Sequence, residues 1–178
     1  MVIVLLSGAI ATGKTAAAEH LAAALPADHI RVRAALGAVL GIDTGDRTAL
    51  QREGADLDRR TRGRWLRDYL AEHYSAGRDT VVDSLRTELQ TLPILDGDVD
   101  SRLVFLEAHE TTRRARYAQA ASSDPVKASL DYDTAMRHPT ELQGTRLRHI
   151  AHLVVATDDL TPAQLAETIL SELELPRR

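Results

Sequence analysis

The chain has 178 residues, of which 44% are hydrophobic and 27% are charged, and it contains no cysteine. This length and balance are typical of one folded domain, and the lack of cysteine excludes disulfides, cysteine-bound zinc and thiol catalysis. The formal net charge of −4 at pH 7 argues against a general electrostatic grip on nucleic acid. The opening run "MVIVLL" is too short for a membrane span and lacks the basic start of a signal peptide, so we expect a cytoplasmic protein with one domain over residues 1–178.

Apolar stretches of strand length recur along the chain, separated by patterns typical of helices. They predict strands at residues 2–6, 29–32, 79–84, 102–108 and 151–159. A helix is predicted at residues 13–25, and a last helix opens with a capping box of Thr161 and Gln164, with Pro162 at its first position. This alternation predicts an α/β fold of three layers, α/β/α, around a parallel sheet of about five strands.

The stretch "GAIATGKT" at residues 8–15 lies between the first strand and the first helix and matches the pattern Gly-x-x-x-x-Gly-Lys-Ser/Thr. Glycines let successive N–H groups turn inward around phosphate oxygens, and the helix dipole points at the same anion. Lys14 can reach the β- and γ-phosphates, and the Thr15 hydroxyl can ligate Mg²⁺. An ordinary strand-to-helix turn is the alternative. The phosphate-binding residues predicted here are Gly8, Ala11, Thr12, Gly13, Lys14, Thr15 and Ala16.

Several classes of protein use such a P-loop, and the rest of the chain separates them. A GTPase normally reads guanine with an Asn-Lys-x-Asp segment, but the chain contains no asparagine. An ATP-driven motor usually carries a strand that ends in Asp-Glu, and neither "TVVDS" nor "LVFLEA" ends in that way. These two absences favour a kinase.

The stretch "TVVDSLRTELQTL" at residues 80–92 resembles the substrate side of adenylate kinase and related nucleoside monophosphate kinases, where a strand ends in Asp and an Arg follows within a turn. Asp83 stands at the carboxyl end of its strand, where open α/β sheets place ligands. The resemblance implies that Asp83 holds Mg²⁺ or orients the acceptor hydroxyl, and that Arg86 binds a substrate phosphate or carboxylate. A helix N-cap is the alternative role for Asp83. The family pattern is Asp-Gly-Phe-Pro-Arg, and the segment Asp-Ser-Leu-Arg here is one residue shorter.

The stretch "FLEAHETTRRARYAQAASSDP" at residues 105–125 is similar to the helix of this kinase superfamily that bears arginines and leads into a lid. Arg113 and Arg116 share one helical face, and the resemblance implies that they neutralise charge on the transferred phosphoryl group. Ala120 stands where dephospho-CoA kinase-like proteins often have a second arginine, and a solvated basic face is the alternative. The loop at about 157–159 would border the adenine base.

Two further regions have expected roles, although residues 26–78 carry no family signature. Residues 34–77 are expected to form a helical acceptor-binding region, with Gly54 and Gly63 as breaks in its helical pattern. Arg33 stands just before this region, where nucleotide kinases hold the acceptor phosphate. Residues 119–141 are expected to form a helical lid, with an ordinary surface loop as the alternative.

Together these features predict an ATP-dependent phosphotransferase that moves the γ-phosphate, with Mg²⁺, to a nucleotide or another small metabolite. The alternative is a nucleotide-binding switch or partner-binding protein with little turnover. We expect a small-molecule acceptor, no membrane and no nucleic acid as partners. The candidate catalytic residues are Lys14, Asp83, Arg113 and Arg116; the candidate metal ligands are Thr15 and Asp83; the candidate acceptor-binding residues are Arg33 and Arg86.

Overall fold

The structure is a computed structural model that describes residues 1–45, 47–73, 77–122 and 130–175. Five strands form the sheet: β1 Val2–Gly8, β2 Asp28–Arg31, β3 Thr80–Leu85, β4 Asp100–Glu107 and β5 Leu153–Ala156. The helices in the described residues are α1 Lys14–Ala24, α2 Val32–Leu40, α3 Arg47–Thr61, α4 Arg64–His73, α5 Glu88–Leu95, α6 Glu110–Ala121, α7 Tyr132–Met136, α8 Pro139–Gly144, a 3₁₀ helix Thr145–Ile150 and α9 Pro162–Glu172.

The five strands are parallel, and their order in the sheet is β2-β3-β1-β4-β5. β1 lies at the centre and is buried along its whole length. Its continuous apolar run suits a strand that is covered on both faces, because neither set of alternating side chains meets water. The predicted α/β fold with helices on both faces of a parallel sheet is confirmed.

Alternate side chains of β1 enter two separate apolar cores. Val4 and Leu6 pack on one side with apolar residues of α1 and α9. Ile3 and Leu5 pack on the other side with apolar residues of α2, α4 and α5. This period of two follows from the pleat of a strand. Because helices cover both faces of the sheet, a ligand site is expected among the loops at the carboxyl ends of the strands.

The helical region between β2 and β3 differs in one respect from the prediction. The expected break at Gly54 is wrong, because α3 continues through this residue. A Cβ at Gly54 would lie 2.7 Å from Cδ2 of Leu36, so the glycine provides room for packing against α2. The expected break at Gly63 is confirmed, since Arg62 and Gly63 both take a left-handed conformation between α3 and α4.

A buried polar cluster holds this helical region against α5. The Asp58 carboxylate, on α3, accepts hydrogen bonds from Trp65 Nε1 at 2.6 Å and from Gln90 Nε2 at 2.9 Å. Burial raises the pKa of Asp58, and the two donors oppose that rise. Because Trp65 lies on α4 and Gln90 on α5, this carboxylate joins three helices.

Three other expectations concern the ends and surface of the fold. The predicted capping box is confirmed, with Thr161 as N-cap of α9, Pro162 in its first turn and Gln164 as the reciprocal partner.

The predicted lid includes residues 123–129, which lie outside the described residues. In the described part of the chain no helix has the length and apolar character needed to cross a membrane, and the cytoplasmic location stays a prediction.

Candidate active site

The P-loop connects β1 to α1 through a backbone that only certain residues adopt easily. Ala11 and Gly13 have φ values of 62° and 92°, which lie in the left-handed region. A Cβ at Gly8 would collide with the carbonyl oxygen of Leu106 on β4, so glycine is needed where the two strands approach. No side chain caps α1, and its first backbone N–H groups face the loop as an anion site.

Lys14 lies folded against its own loop. Its Nζ atom donates hydrogen bonds to the carbonyl oxygens of Gly8 at 2.8 Å and Ala9 at 2.6 Å, and the side chain is buried. Burial, as the largest cause, and the positive charges of Arg86 and Arg113 together lower the pKa of Lys14 to about 7, although the negative charge of Asp83 opposes this fall. Arg86, Arg113 and Asp83 therefore form a group of charged residues around Lys14, each near enough to affect its protonation.

Asp83 reaches this group because β3 is irregular at its carboxyl end. The register with β1 shifts between Leu5 and Ser7, and Ser84 has a φ of 70°. A bulge of this kind redirects the side chains beside it, and a left-handed serine costs about 1 kcal/mol or more. The bulge leaves Asp83 buried. Asp83 is not an N-cap, since Thr87 caps α5 by accepting a hydrogen bond from the Gln90 N–H.

His29 is a neighbour of Asp83 that the sequence interpretation missed. Its Nε2 atom lies 3.3 Å from Oδ2 of Asp83, across the parallel pair formed by β2 and β3. The imidazole can donate to the carboxylate and hold its orientation. Nothing in the local sequence signals this pair, because the two residues are 54 positions apart and meet only through strand pairing.

Glu141, on α8, is a second missed residue. Its Oε2 atom accepts a hydrogen bond from the backbone N–H of Ile10, in the P-loop, at 3.1 Å. Its other carboxylate oxygen, Oε1, forms an ion pair with Nη1 of Arg86. The Glu141 side chain is 4% exposed, whereas that of Arg86 is 30% exposed. The arginine expected to bind an acceptor anion is thus paired with a buried carboxylate of the same chain.

The two candidate arginines of α6, Arg113 and Arg116, point to different places. Arg113 Nε donates to the Ala108 carbonyl at 3.2 Å, at the end of β4, and its charge acts on Lys14. Arg116 Nη2 donates to the Thr157 carbonyl at 2.6 Å. Thr157 Oγ1 in turn donates to the carbonyl of Thr12 at 3.1 Å, so Arg116 contacts the P-loop through the loop after β5. The structure brings Arg113, and not Arg116, to the group around Lys14.

The remaining candidate residues lie as follows. Arg33, at the start of α2, is exposed, and its Nη2 atom donates to the carbonyl of Thr44. Thr15 is exposed at the second position of α1.

Thr15 and Asp83 supply the hard oxygen donors that Mg²⁺ prefers, and this ion commonly takes only one or two protein ligands beside phosphate oxygens. No group of three or more His, Cys, Asp or Glu side chains in the described ranges could hold a metal ion alone. The residues present therefore fit a magnesium ion that is shared with a nucleotide.

Comparisons with known proteins agree with this architecture. A shikimate kinase from Bacteroides thetaiotaomicron superposes with a TM-score of 0.66 at 18% identity, over 98% of this chain and 99% of the other. A tunicamycin resistance protein from Deinococcus radiodurans gives 0.60 at 16% identity, over 99% and 98% of the two chains. A sugar kinase from a Janibacter species gives 0.52 at 16% identity, over 98% and 94%. A search of curated proteins by sequence found no match.

At these identities the structural matches establish the fold alone, and it is a fold that a shikimate kinase and a sugar kinase share. A family model described as an AAA domain matches residues 4–137, which include the P-loop, Asp83, Arg86, Arg113 and Arg116. This match covers well over half of the sequence. The chain belongs to the AAA domain family.

Proposed function

We propose that this protein is an ATP-dependent phosphotransferase that moves the γ-phosphate to a hydroxyl group of a small metabolite. The main support is a group of charged side chains at the P-loop: Lys14 lies buried against the loop carbonyls, and Asp83, Arg86 and Arg113 are near enough to affect its charge. Shikimate kinases and a sugar kinase share the fold, which agrees with this chemistry.

Each residue of the group has a role that follows from its position. The amides of residues 11–16 bind the β-phosphate, and Lys14 leaves its loop carbonyls to bind the β- and γ-phosphates. Asp83 orients the acceptor hydroxyl, and His29 holds the carboxylate in place. Arg113 neutralises charge on the transferred phosphoryl group. Enzymes catalyse this reaction mainly by positioning the reactants and stabilising charge.

Arg116 has a supporting role in this proposal. Through Thr157 it holds the loop after β5 against the carbonyl of Thr12, beside the nucleotide. We therefore propose that Arg116 positions this loop and does not contact the transferred phosphoryl group. Thr15 and Asp83 would hold a magnesium ion, which would supply neutralisation of the phosphate charge.

Two features favour transfer to a metabolite over ATP hydrolysis. β3 continues from Asp83 into Ser84 and Leu85, and β4 ends at Glu107, so neither strand carries the Asp-Glu pair that a motor uses to activate water. The buried position of Asp83 also suits orientation of a hydroxyl in a site that excludes water.

A screen with γ-labelled ATP tests the proposal. The wild-type protein is incubated with a panel of hydroxylated metabolites, and the Lys14→Ala variant is the matched control. We expect label transfer to at least one acceptor and loss of that transfer in the variant, with an unchanged circular dichroism spectrum. A protein that binds ATP and labels no acceptor would instead be the nucleotide-dependent switch.

A further inference from the structure

The contact of Glu141 with both the P-loop and Arg86 bears on which acceptors the site can take. Glu141 is almost completely buried, and both of its carboxylate oxygens have partners: the Ile10 N–H and the Arg86 guanidinium. A buried carboxylate is retained only where such partners compensate its lost hydration. Glu141 is therefore held at the acceptor side of the loop as part of the built site.

The charge of Arg86 is already balanced by Glu141 before any acceptor binds. The group contains three cationic side chains, Lys14, Arg86 and Arg113, and two anionic ones, Asp83 and Glu141. Lys14 and Arg113 lie where ATP phosphates would bind, and ATP brings further negative charge even when magnesium neutralises part of it. Arg86 is the cation left for the acceptor, and Glu141 neutralises it.

An anionic acceptor would have to displace Glu141 from Arg86 or share a guanidinium whose charge Glu141 already neutralises. That exchange would leave a buried carboxylate without its cation, close to the phosphates of ATP, and unpaired buried charges are strongly unfavourable. An uncharged hydroxyl compound requires no such exchange. Its hydroxyl groups can donate hydrogen bonds to the carboxylate oxygens of Asp83 and Glu141.

We propose that Glu141 determines the substrate class of this site: by neutralising Arg86 it selects an uncharged, hydroxyl-bearing acceptor and excludes acceptors that carry a phosphate or carboxylate. This inference rests on the proposed function and narrows it, since it assigns Arg86 to the pair with Glu141 rather than to a substrate anion.

The Glu141→Gln variant separates the two roles of the side chain. The glutamine oxygen can still accept the Ile10 N–H, and the size is unchanged, but the charge that neutralises Arg86 is gone. Glu172→Gln is the matched control, because Glu172 is exposed at the end of α9 and the substitution removes the same charge far from the site.

Binding of inorganic phosphate is measured by calorimetry in the presence of saturating Mg-ADP, which fills the P-loop. We expect Glu141→Gln to bind phosphate about tenfold or more tightly than the wild type, because a freed guanidinium gains a charge-assisted contact. The gain should disappear in the Glu141→Gln, Arg86→Gln double variant and should be absent in Glu172→Gln. Equal phosphate affinity in the wild type and Glu141→Gln would overturn the proposal.

A second measurement compares uncharged and anionic members of acceptor pairs with γ-labelled ATP: a hexose against its hexonate, and a nucleoside against its monophosphate. Faster labelling of the uncharged members by the wild type supports the proposal, and faster labelling of the anionic members overturns it. The phosphate titration needs no phosphoryl transfer, so it tests the role of Glu141 even if the kinase proposal itself fails.

Discussion

Replacing Lys14 with Met tests the electrostatic description of the P-loop without any ligand. Methionine has a similar length and flexibility but no charge, so the variant removes the amine that burial disfavours. In the folded chain the pKa of Lys14 is about 7, whereas its ordinary value is 10.5. Between these two values the unfolded chain holds a proton that the folded chain has released, and the free energy of unfolding must therefore rise with pH.

The size of the effect follows from that pKa. Where the unfolded chain binds one proton more than the folded chain, the free energy of unfolding rises by about 1.4 kcal/mol for each pH unit. From pH 7 to pH 9 the free energy of unfolding can therefore rise by at most about 3 kcal/mol. Because folded Lys14 is already half-deprotonated at pH 7, the expected rise is about 2 kcal/mol. The hydrogen bonds from Lys14 to Gly8 and Ala9 are lost in the variant at both pH values, so they do not affect the difference.

The assay is urea unfolding of the apo wild type and of Lys14→Met at pH 7 and at pH 9. We expect the wild type to gain about 2 kcal/mol relative to the variant across this range. All other titratable groups are common to both proteins, so their contributions cancel in the comparison. A difference in unfolding free energy that does not change with pH would refute the low pKa and the close grouping of Lys14 with Arg86 and Arg113.

Three further outcomes are expected. Asp83→Asn should reduce turnover by about 10²-fold or more with little change in ATP affinity, because the carboxylate acts mainly in the transition state; wild-type turnover in steady-state assays would remove Asp83 from the mechanism. Ser84→Gly should raise the free energy of unfolding by about 0.5–1 kcal/mol, because glycine relieves the left-handed strain. Ser84→Ala serves as the control in the same denaturant titration, and equal gains in both variants would contradict strain as the cause. Mg-ATP at about 100 times its Kd should stabilise the fold by about 2.7 kcal/mol, measured as a rise in Tm that EDTA reduces, and a larger rise with Mg-GTP would contradict ATP as the donor.

The features that the sequence predicted correctly depend on residues close together in the chain. The P-loop occupies eight consecutive residues, and its glycine spacing is a local backbone requirement. The strands follow from apolar runs and the capping box of α9 from Thr161 and Gln164, so both can be read without the tertiary structure. Gly54 shows the limit of such reasoning, because a glycine that breaks an isolated helix is retained here for its contact with Leu36.

The composition of the site was decided by tertiary structure. Glu141 lies 131 positions from Ile10, and His29 lies 54 positions from Asp83. These pairs meet because the order of the strands and the packing of α8 bring distant segments to one edge of the sheet. The shared helical face of Arg113 and Arg116 was visible in the sequence, but their partners were not. A periodicity specifies which side chains share a face, whereas their contacts depend on what the fold packs against that face.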